Sequence, residues 1–359
     1  MSSDLPTDQT DQTDPLDLQA LLALPDLAVR TFGGSVVWAN DEFFAGRENL
    51  VNAGPALYSP RTFGAKGQVY DGWETRRRRE TGTDQAIVRL GAPGVVRAVV
   101  VDTSHFTGNF PSEASVEGTR AEGHPSVDEV RSATWTTLVE RSPLQGDTAN
   151  TFPVSDAHRW THVRLTIYPD GGVARLRVHG DVVADPTLVE ALGTVDLAAL
   201  DLGGRVTRCS NLFYGSPDRL IAPGLARTMG EGWETARRRD DGNDWVEVRL
   251  AARGVVRMAE LDTTWFLGNA PGSAALSGKD QACDETGEPA DSASWRPLMD
   301  RTALQPDIRH RFLLDGAEAA TAVRLDVYPD GGMARLRLWG TPTDDGLAAL
   351  RTRWEETGS

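Results

Sequence analysis

The sequence predicts an all-β protein made of two homologous antiparallel β-sandwiches in tandem. Three observations lead there. Asp71-Gly-Trp-Glu-Thr-Arg-Arg-Arg-Arg79 returns 160 residues later as Glu231-Gly-Trp-Glu-Thr-Ala-Arg-Arg-Arg239, and from 71 to 109 the two copies agree at 22 of 39 positions. Each copy spans roughly 145–160 residues, a domain length rather than a solenoid unit. Between Gly, Pro and Asp turns lie short β-branched or alternating runs, the pattern of sandwich strands, while long amphipathic helices are scarce.

The elements follow in chain order. Residues 1–17 are rich in Asp, Thr, Gln and Ser and lack the basic segment and apolar core of a signal peptide; a disordered tail is expected. A short helix fits 16–24. The first sandwich is assigned to 18–181. Early in it the copies are offset by 170: Asp26-Leu-Ala28 faces Asp196-Leu-Ala198, Gly33-Gly34 faces Gly203-Gly204, and Phe43-Phe44 faces Phe213-Tyr214. The first copy therefore carries a ten-residue insertion between about 51 and 70, read as an ordered surface loop with Tyr58, Pro60, Phe63 and Gly67. The β-branched run 95–102 is a strand that ends in a polar loop. In Val163-Arg-Leu-Thr-Ile167 the apolar residues alternate, which puts Val163, Leu165 and Ile167 on one face. Pro169-Asp-Gly-Gly172 reads as the turn of a hairpin to the next strand, 173–178. Residues 182–195 form the linker, with a short helix over Pro186-Thr-Leu-Val-Glu-Ala-Leu192. The second sandwich takes 196–340, and 341–359 is a C-terminal tail with a short helix over 347–354.

The formal net charge is −15. A nucleic-acid partner needs a basic face, so none is expected, and the arginine runs are local exceptions beside Glu74, Glu80, Glu234 and Asp240. No apolar run approaches the ~20 residues that cross a bilayer, so no membrane partner is expected either. The two cysteines, Cys209 and Cys283, have no counterparts in the first copy and frame no disulfide or metal knuckle. A cytoplasmic location is the expectation. Nucleotide-binding glycine loops, the serine-hydrolase elbow and the zincin motif are all missing from the sequence.

The repeat preserves polar residues as well as apolar ones, which points to chemistry or recognition. Asp102, Thr103, His105 and Asn109 place a carboxylate, a hydroxyl, an imidazole and an amide in the loop after a strand, where functional side chains are free to project. His105 and Glu74 are the acid–base candidates, with Asp102 orienting the imidazole. Arg77 and Arg78 are candidates to clamp a carboxylate through paired hydrogen bonds. Thr103, Asn109 and Trp73 are candidate substrate contacts. Glu234, Arg237, Arg238, Asp262 and Asn269 are the second-copy equivalents. Each has a bland alternative: Trp73 and Trp233 as core, Asp102 and Asp262 as turn caps, Asn109 and Asn269 as turn residues. Arg175, Arg177, Arg335 and Arg337 read as an outward strand face. His158 and His162 have a metal-pair spacing only if helical. The sequence requires no cofactor and leaves room for a divalent metal such as manganese.

At these residues the chain resembles the allantoicase family. The signatures are Asp71-Gly-Trp-Glu-Thr-Arg-Arg-Arg78, Asp102-Thr-Ser-His-Phe-Thr-Gly-Asn-Phe-Pro111, Met229-Gly-Glu-Gly-Trp-Glu-Thr-Ala-Arg-Arg238, Tyr168-Pro-Asp-Gly-Gly172, and Asn40-Asp-Glu-Phe-Phe44 followed by Asn49-Leu50. The likeness runs from about 24 to 340. It implies two jelly-roll sandwiches of galactose-binding-like topology, hydrolysis of allantoate to ureidoglycolate and urea in purine-nitrogen recovery, and homo-oligomers. The alternative reading is a tandem module that binds a carbohydrate or other small ligand without chemistry. The copies differ at Trp265 for His105 and Ala236 for Arg76, so the first copy is expected to carry most of the catalysis.

Overall fold

The computed structural model describes residues 15–65, 67–213, 216–281, 295–316 and 318–359. Most of the predicted N-terminal tail, Tyr214 and Cys283 lie outside the described residues. In each repeat one 19-residue strand organises the sandwich, Asp84–Asp102 in the first and Asp244–Asp262 in the second. Its first half lies between Ser35–Ala39 and Arg159–Tyr168, and the sheet continues through Glu113–Thr119 to Thr136–Pro143. Its second half lies between Arg175–Val182 and Ala149–Pro153. A register break between Arg89 and Gly94 carries the strand from one layer to the other. All these pairings are antiparallel, and every major strand of the second repeat answers one of the first, Arg205–Cys209 at an offset of 170 and the others at 160. A break in pairing bends a strand without ending it, which is how one strand serves two layers.

The core follows the alternation. Val163, Leu165 and Ile167 are fully buried, as are Val323, Leu325 and Val327. Each fully buried side chain of this size contributes roughly 1.5–3 kcal/mol. The segment 95–102 is buried on both faces, as a central strand with neighbours on either side requires. The apolar cluster passes from one repeat to the other through Val182, Ala184, Val189 and Val195.

The turn at 169–172 departs from expectation. Arg159–Tyr168 and Arg175–Val182 do not pair with each other, so no hairpin forms. The turn crosses between layers, and Gly172–Val173 pairs instead with Trp73–Glu74. Gly171 has φ +144° and Gly331 φ +135°. A Cβ on Gly172 or Gly332 would collide with the ring of Phe106 or Phe266. Both glycines are thus needed where backbone meets a buried aromatic. The Tyr168–Pro169 and Tyr328–Pro329 peptides are both cis.

Three short helices fall where the sequence places them: Pro15–Leu22, Pro186–Leu192 and Asp344–Glu356. Asp185 caps the second through Thr187 N, and Thr343 caps the third through Gly346 N. The C-terminal helix is a structural brace rather than a loose tail. Arg253 of the second repeat pairs with Asp345, while the Arg159 guanidinium of the first repeat lies 3.6 Å from the Trp354 ring centre.

Candidate active site

The repeated polar motif lies at the loop end of each sandwich. Trp73–Glu74 is a two-residue strand held by Gly172–Val173 on one side and bridged to Ala45 on the other. Alternation along it sends Trp73 inward and Glu74 toward the loop after Asp102. Trp73 is fully buried and its Nε1 donates to Asp41 O at 2.7 Å; Trp233 repeats this with Asn211 O at 3.2 Å. Trp73 is therefore a core residue and not a stacking platform for substrate.

The Glu74 carboxylate accepts a 2.7 Å hydrogen bond at Oε1 from Asn109 Nδ2, and Glu234 accepts one of 2.6 Å from Asn269 Nδ2. Asn109 is itself fixed, because its carbonyl accepts from Gly172 N at 2.7 Å. Among the described residues no partner is found for Glu74 Oε2. Glu74 is 9% exposed. Burial pushes its pKa up, against the opposing bond from Asn109. Tyr70 lies close by, stacked on Phe106 with ring centres 4.9 Å apart. Burial, then the charges of Glu74 and Tyr58, raise the Tyr70 phenol.

The arginines divide. Arg78 is taken: it donates to Asp84 at 3.0 and 2.5 Å and to Thr83 O at 2.7 Å. Arg238 likewise holds Asp244 and Asp240. Both are structural, and the expectation of Arg78 as a clamp is corrected on that ground. Arg76 lies over the Phe43 ring at 4.6 Å and 3.4 Å from Asp41. Arg77 and Arg237 are exposed, and no ion pair forms to either among the described residues. They remain the guanidiniums available to an incoming anion.

The loop after Asp102 also reads differently in three dimensions. Asp102 Oδ1 accepts from Ser104 N at 2.8 Å and Ser104 Oγ at 2.6 Å, and Asp262 does the same with Thr264. These are turn caps, and no hydrogen bond joins Asp102 to His105. Thr103 is fully buried, with Oγ1 donating to Gln145 O at 2.6 Å and accepting from Thr148 N at 3.1 Å. It pins the loop and has no hydroxyl to offer a ligand. His105 stands at φ +70° and Trp265 at φ +76°. His105 Nε2 meets Ala56 O at 3.1 Å, and Trp265 Nε1 donates to Ala226 O at 2.9 Å. The two rings thus make one equivalent contact. A carbonyl only accepts, so His105 must carry its proton on Nε2 to make it.

That equivalence also narrows the insertion. Arg175 Nε donates to Gly54 O and Arg335 Nε to Gly224 O, each at 3.1 Å, so the offset of 170 persists through Ala56 and Ala226. The extra residues lie between Ala56 and Asp71. They hold a small hairpin, Phe63–Gly64 with Gly67–Gln68, and bring Tyr58 to stack on His105 at 5.3 Å.

Arg175 and Arg335 are the residues that sequence reasoning placed on the wrong face. They are 2% and 4% exposed. Arg175 donates to Asp71 Oδ2 at 2.7 Å, to Asp71 O at 2.9 Å and to Gly54 O and Pro55 O, tying the insertion to the motif. Burial would raise Asp71, but the bonds from Arg175 and from Leu57 N prevail and hold it below the ordinary carboxylate value. Among the described residues Arg335 bonds only carbonyls, because Glu231 is turned to Arg227 at 2.6 Å. Burial, with Arg337 nearby, pushes Arg335 down to about 10. The signal in the sequence was the paired repetition of Asp71 with Arg175 and Glu231 with Arg335.

Among the described residues no three His, Cys, Asp or Glu side chains converge as metal ligands. His158 Nδ1 pairs with Asp156 at 3.0 Å, and His162 is buried on the strand Arg159–Tyr168, where burial, then the Arg89 charge, push it down to about 4. The helical spacing that would pair the two histidines does not arise.

The comparisons agree with the duplication. The allantoicase-repeat family model matches residues 25–183 and again 195–343. A probable allantoicase of Nocardia farcinica is 55% identical over 320 residues, 88% of this chain and 94% of that protein. One of Streptomyces coelicolor is 51% identical over 345 residues, 93% of this chain and 89% of its own length. The crystal structure of allantoicase from Saccharomyces cerevisiae superimposes with a TM-score of 0.76 at 29% identity, covering 91% of this chain and 98% of the other. The chain belongs to the allantoicase family.

Proposed function

We propose that this protein hydrolyses allantoate to ureidoglycolate and urea, and that the Glu74–Asn109 pair is the centre of the chemistry. Family membership over both repeats carries the reaction. The observation that carries the site is the buried Glu74 carboxyl, raised by burial and held by Asn109 through one oxygen, an asparagine contact that Glu234 and Asn269 repeat in the second copy.

Allantoate bears one carboxylate and two ureido groups on a single carbon. Hydrolysis adds water across one C–N bond: the carbon gains hydroxyl and the departing nitrogen gains a proton. Urea leaves poorly as an anion, so it needs that proton as the bond breaks. A carboxyl raised by burial holds a proton nearer neutral pH and can deliver it. The resulting carboxylate then takes a proton from the attacking water, which returns the site to its starting form. Asn109 holds Oε1 and thereby orients Oε2. Arg77, which forms no ion pair among the described residues, takes the substrate carboxylate, which spends binding energy on a non-reacting group to position the reacting carbon. Tyr58 and Tyr70 flank this site in the first copy only, since Gly230 stands opposite Tyr70.

Purified protein assayed for urea release from allantoate, with and without added manganese, tests the reading; no urea above background in either condition refutes it. The same reading expects a cytoplasmic homo-oligomer with no nucleic-acid or membrane partner. It is supported by the acidic charge of −15, by exposed Leu57, Phe63, Leu225 and Leu267 around the loop ends, and by the lack of any described helix long and apolar enough to cross a membrane. Light scattering of the purified protein checks the oligomer.

A further inference from the structure

Where the repeats meet, arginines gather in one cleft. Arg205, on Arg205–Cys209, and Arg249, on the long strand of the second repeat, line a cleft with Arg353 of the C-terminal helix and Asp181 at the end of Arg175–Val182. Arg97 reaches the same carboxylate from the first repeat. Asp181 gives Oδ2 to Arg97 Nε at 3.1 Å, which leaves Oδ1 at 3.7 Å from Arg205, beyond hydrogen-bond length. Arg249 has a single weak contact, to Gly203 O at 3.5 Å. Arg353 has no side-chain partner among the described residues. Four guanidiniums thus share one carboxylate in a chain whose net charge is −15.

Such a cluster is costly unless something offsets it. Like charges in a half-enclosed cleft repel with little screening. Desolvation, then the charges of Arg353 and Arg205, push Arg249 below its ordinary value, and Asp181 offsets only part. Several other guanidiniums that are buried or half-buried have a carboxylate of their own: Arg78 with Asp84, Arg164 with Glu117, Arg175 with Asp71, Arg253 with Asp280. The space in the cleft that the three arginines and Asp181 help to line is about 10 Å³. That is room for about one water-sized atom. It admits one oxygen of a ligand whose remainder stays in the open mouth.

We infer that the inter-repeat cleft is a binding site for a small phosphate-like oxyanion, held by Arg205, Arg249 and Arg353. Guanidinium forks match the oxygen geometry of phosphate, and here they come from three separate elements. An occupant would join two strands of the second repeat to the C-terminal helix through one ion, beside the end of the first repeat at Asp181. The cleft is distinct from the Glu74 loops, so occupancy bears on how the repeats are held together rather than on the chemical step.

The test uses full-length protein, inorganic phosphate as probe and sodium chloride at matched ionic strength as control, with melting temperature and calorimetric titration as readouts. Wild type should show saturable binding heat and a Tm rise on the order of 3–6 °C near saturation. The double variant R249Q/R353Q should lose both. It should also melt at or above the wild-type temperature without phosphate, because it sheds charges that have no carboxylate partner. R353Q alone, on the exposed helix, serves as a second variant if the double change perturbs folding. An equal phosphate shift in wild type and variants would mean a general salt effect and overturn the proposal, as would the lack of saturable heat. Acetate in place of phosphate separates a tetrahedral-oxyanion site from a carboxylate site; equal or tighter acetate binding would overturn the phosphate-like assignment.

Discussion

Asn109 holds Glu74 through one carboxylate oxygen at 2.7 Å, and Asn269 holds Glu234 in the same way at 2.6 Å. The pair has survived duplication although the surrounding loops have not. The two sites differ in what encloses them. The first has Tyr70 and the insertion; the second has Gly230 and the exposed ring of Trp265.

Glu74→Gln should therefore lower kcat for urea release by about 10²–10⁴, the range of a lost general acid–base. The amide still accepts from Asn109, so the fold is kept. Glu234→Gln should cost less, because the second copy lacks the tyrosines. Parallel kinetics of both single variants decide it: a larger loss for Glu234→Gln would move the working site to the second repeat.

The same carboxyl predicts a dependence of stability on pH. Burial raises Glu74 in the folded chain above its value in the unfolded one. Between those two values the folded state binds more protons, so this group's contribution is full at low pH and is lost as pH rises through the folded pKa. Glu74→Gln removes the ionised form. Its Tm should exceed that of wild type at pH 7.5, and the gap should close as pH falls below about 4.3, the ordinary glutamate value. Melting curves of both proteins across pH 4–8 check this; a gap constant with pH would contradict it.

Two neighbouring arginines should fail in opposite ways. Arg77 is exposed and unpaired, so Arg77→Ala should leave Tm within a degree and raise KM for allantoate by about 10–100-fold, the worth of a charged hydrogen bond. Arg78 neutralises Asp84, whose side chain is 2% exposed. Arg78→Ala leaves that buried charge with the neutral Asn40 amide as its remaining side-chain partner among the described residues, and should destabilise the fold by up to about 3–5 kcal/mol. Steady-state kinetics and denaturant melts on the two variants separate the roles.

His105 is best tested by its own counterpart. The His105 and Trp265 rings each meet the carbonyl of an equivalent alanine, at 3.1 and 2.9 Å. His105→Trp should keep that bond and stay within about threefold of wild-type kcat, well short of a lost general acid–base. His105→Ala should lose about 1 kcal/mol of stability with the hydrogen bond. A 100-fold fall in kcat for both variants would restore the imidazole to the chemistry.

The sequence made the architecture legible because duplication doubles every signal. Strand alternation at Val163, Leu165 and Ile167 was written twice, as was the polar pair Glu74 and Asn109. Arg175 was misread because alternation assigns a face but not what covers it; the loop from Gly54 to Asp71 arrives from over a hundred residues away. His105 was singled out for being unique to one copy. Its contact depends on Ala56, 49 residues upstream, and no local pattern reports a carbonyl. The turn at 169–172 looked like a hairpin because glycines announce a turn without saying which strand comes next. A crossover between layers uses the same residues.

The C-terminal helix offers a stability test remote from the chemistry. Arg159 is 4% exposed, and its guanidinium is sandwiched between the Trp354 ring, 3.6 Å away, and Glu122 at 2.5 Å. Its backbone N–H donates to Thr357 O at 2.8 Å. A desolvated cation–π contact contributes about 2 kcal/mol or more, and truncating the ring also opens a void beside a buried charge. Trp354→Ala should therefore destabilise by about 2–4 kcal/mol. The loops that carry Glu74 and Asn109 should not register it. Arg159 pairs with Val95, whereas the loop carrying Asn109 begins at Asp102. Seven residues of strand separate those ends, about 23 Å at the usual rise. The expected result is a lower Tm with kcat and KM within twofold of wild type. If KM rises alongside the fall in Tm, the brace positions the loops through the strand, and the first repeat is less rigid between Val95 and Asp102 than its burial implies.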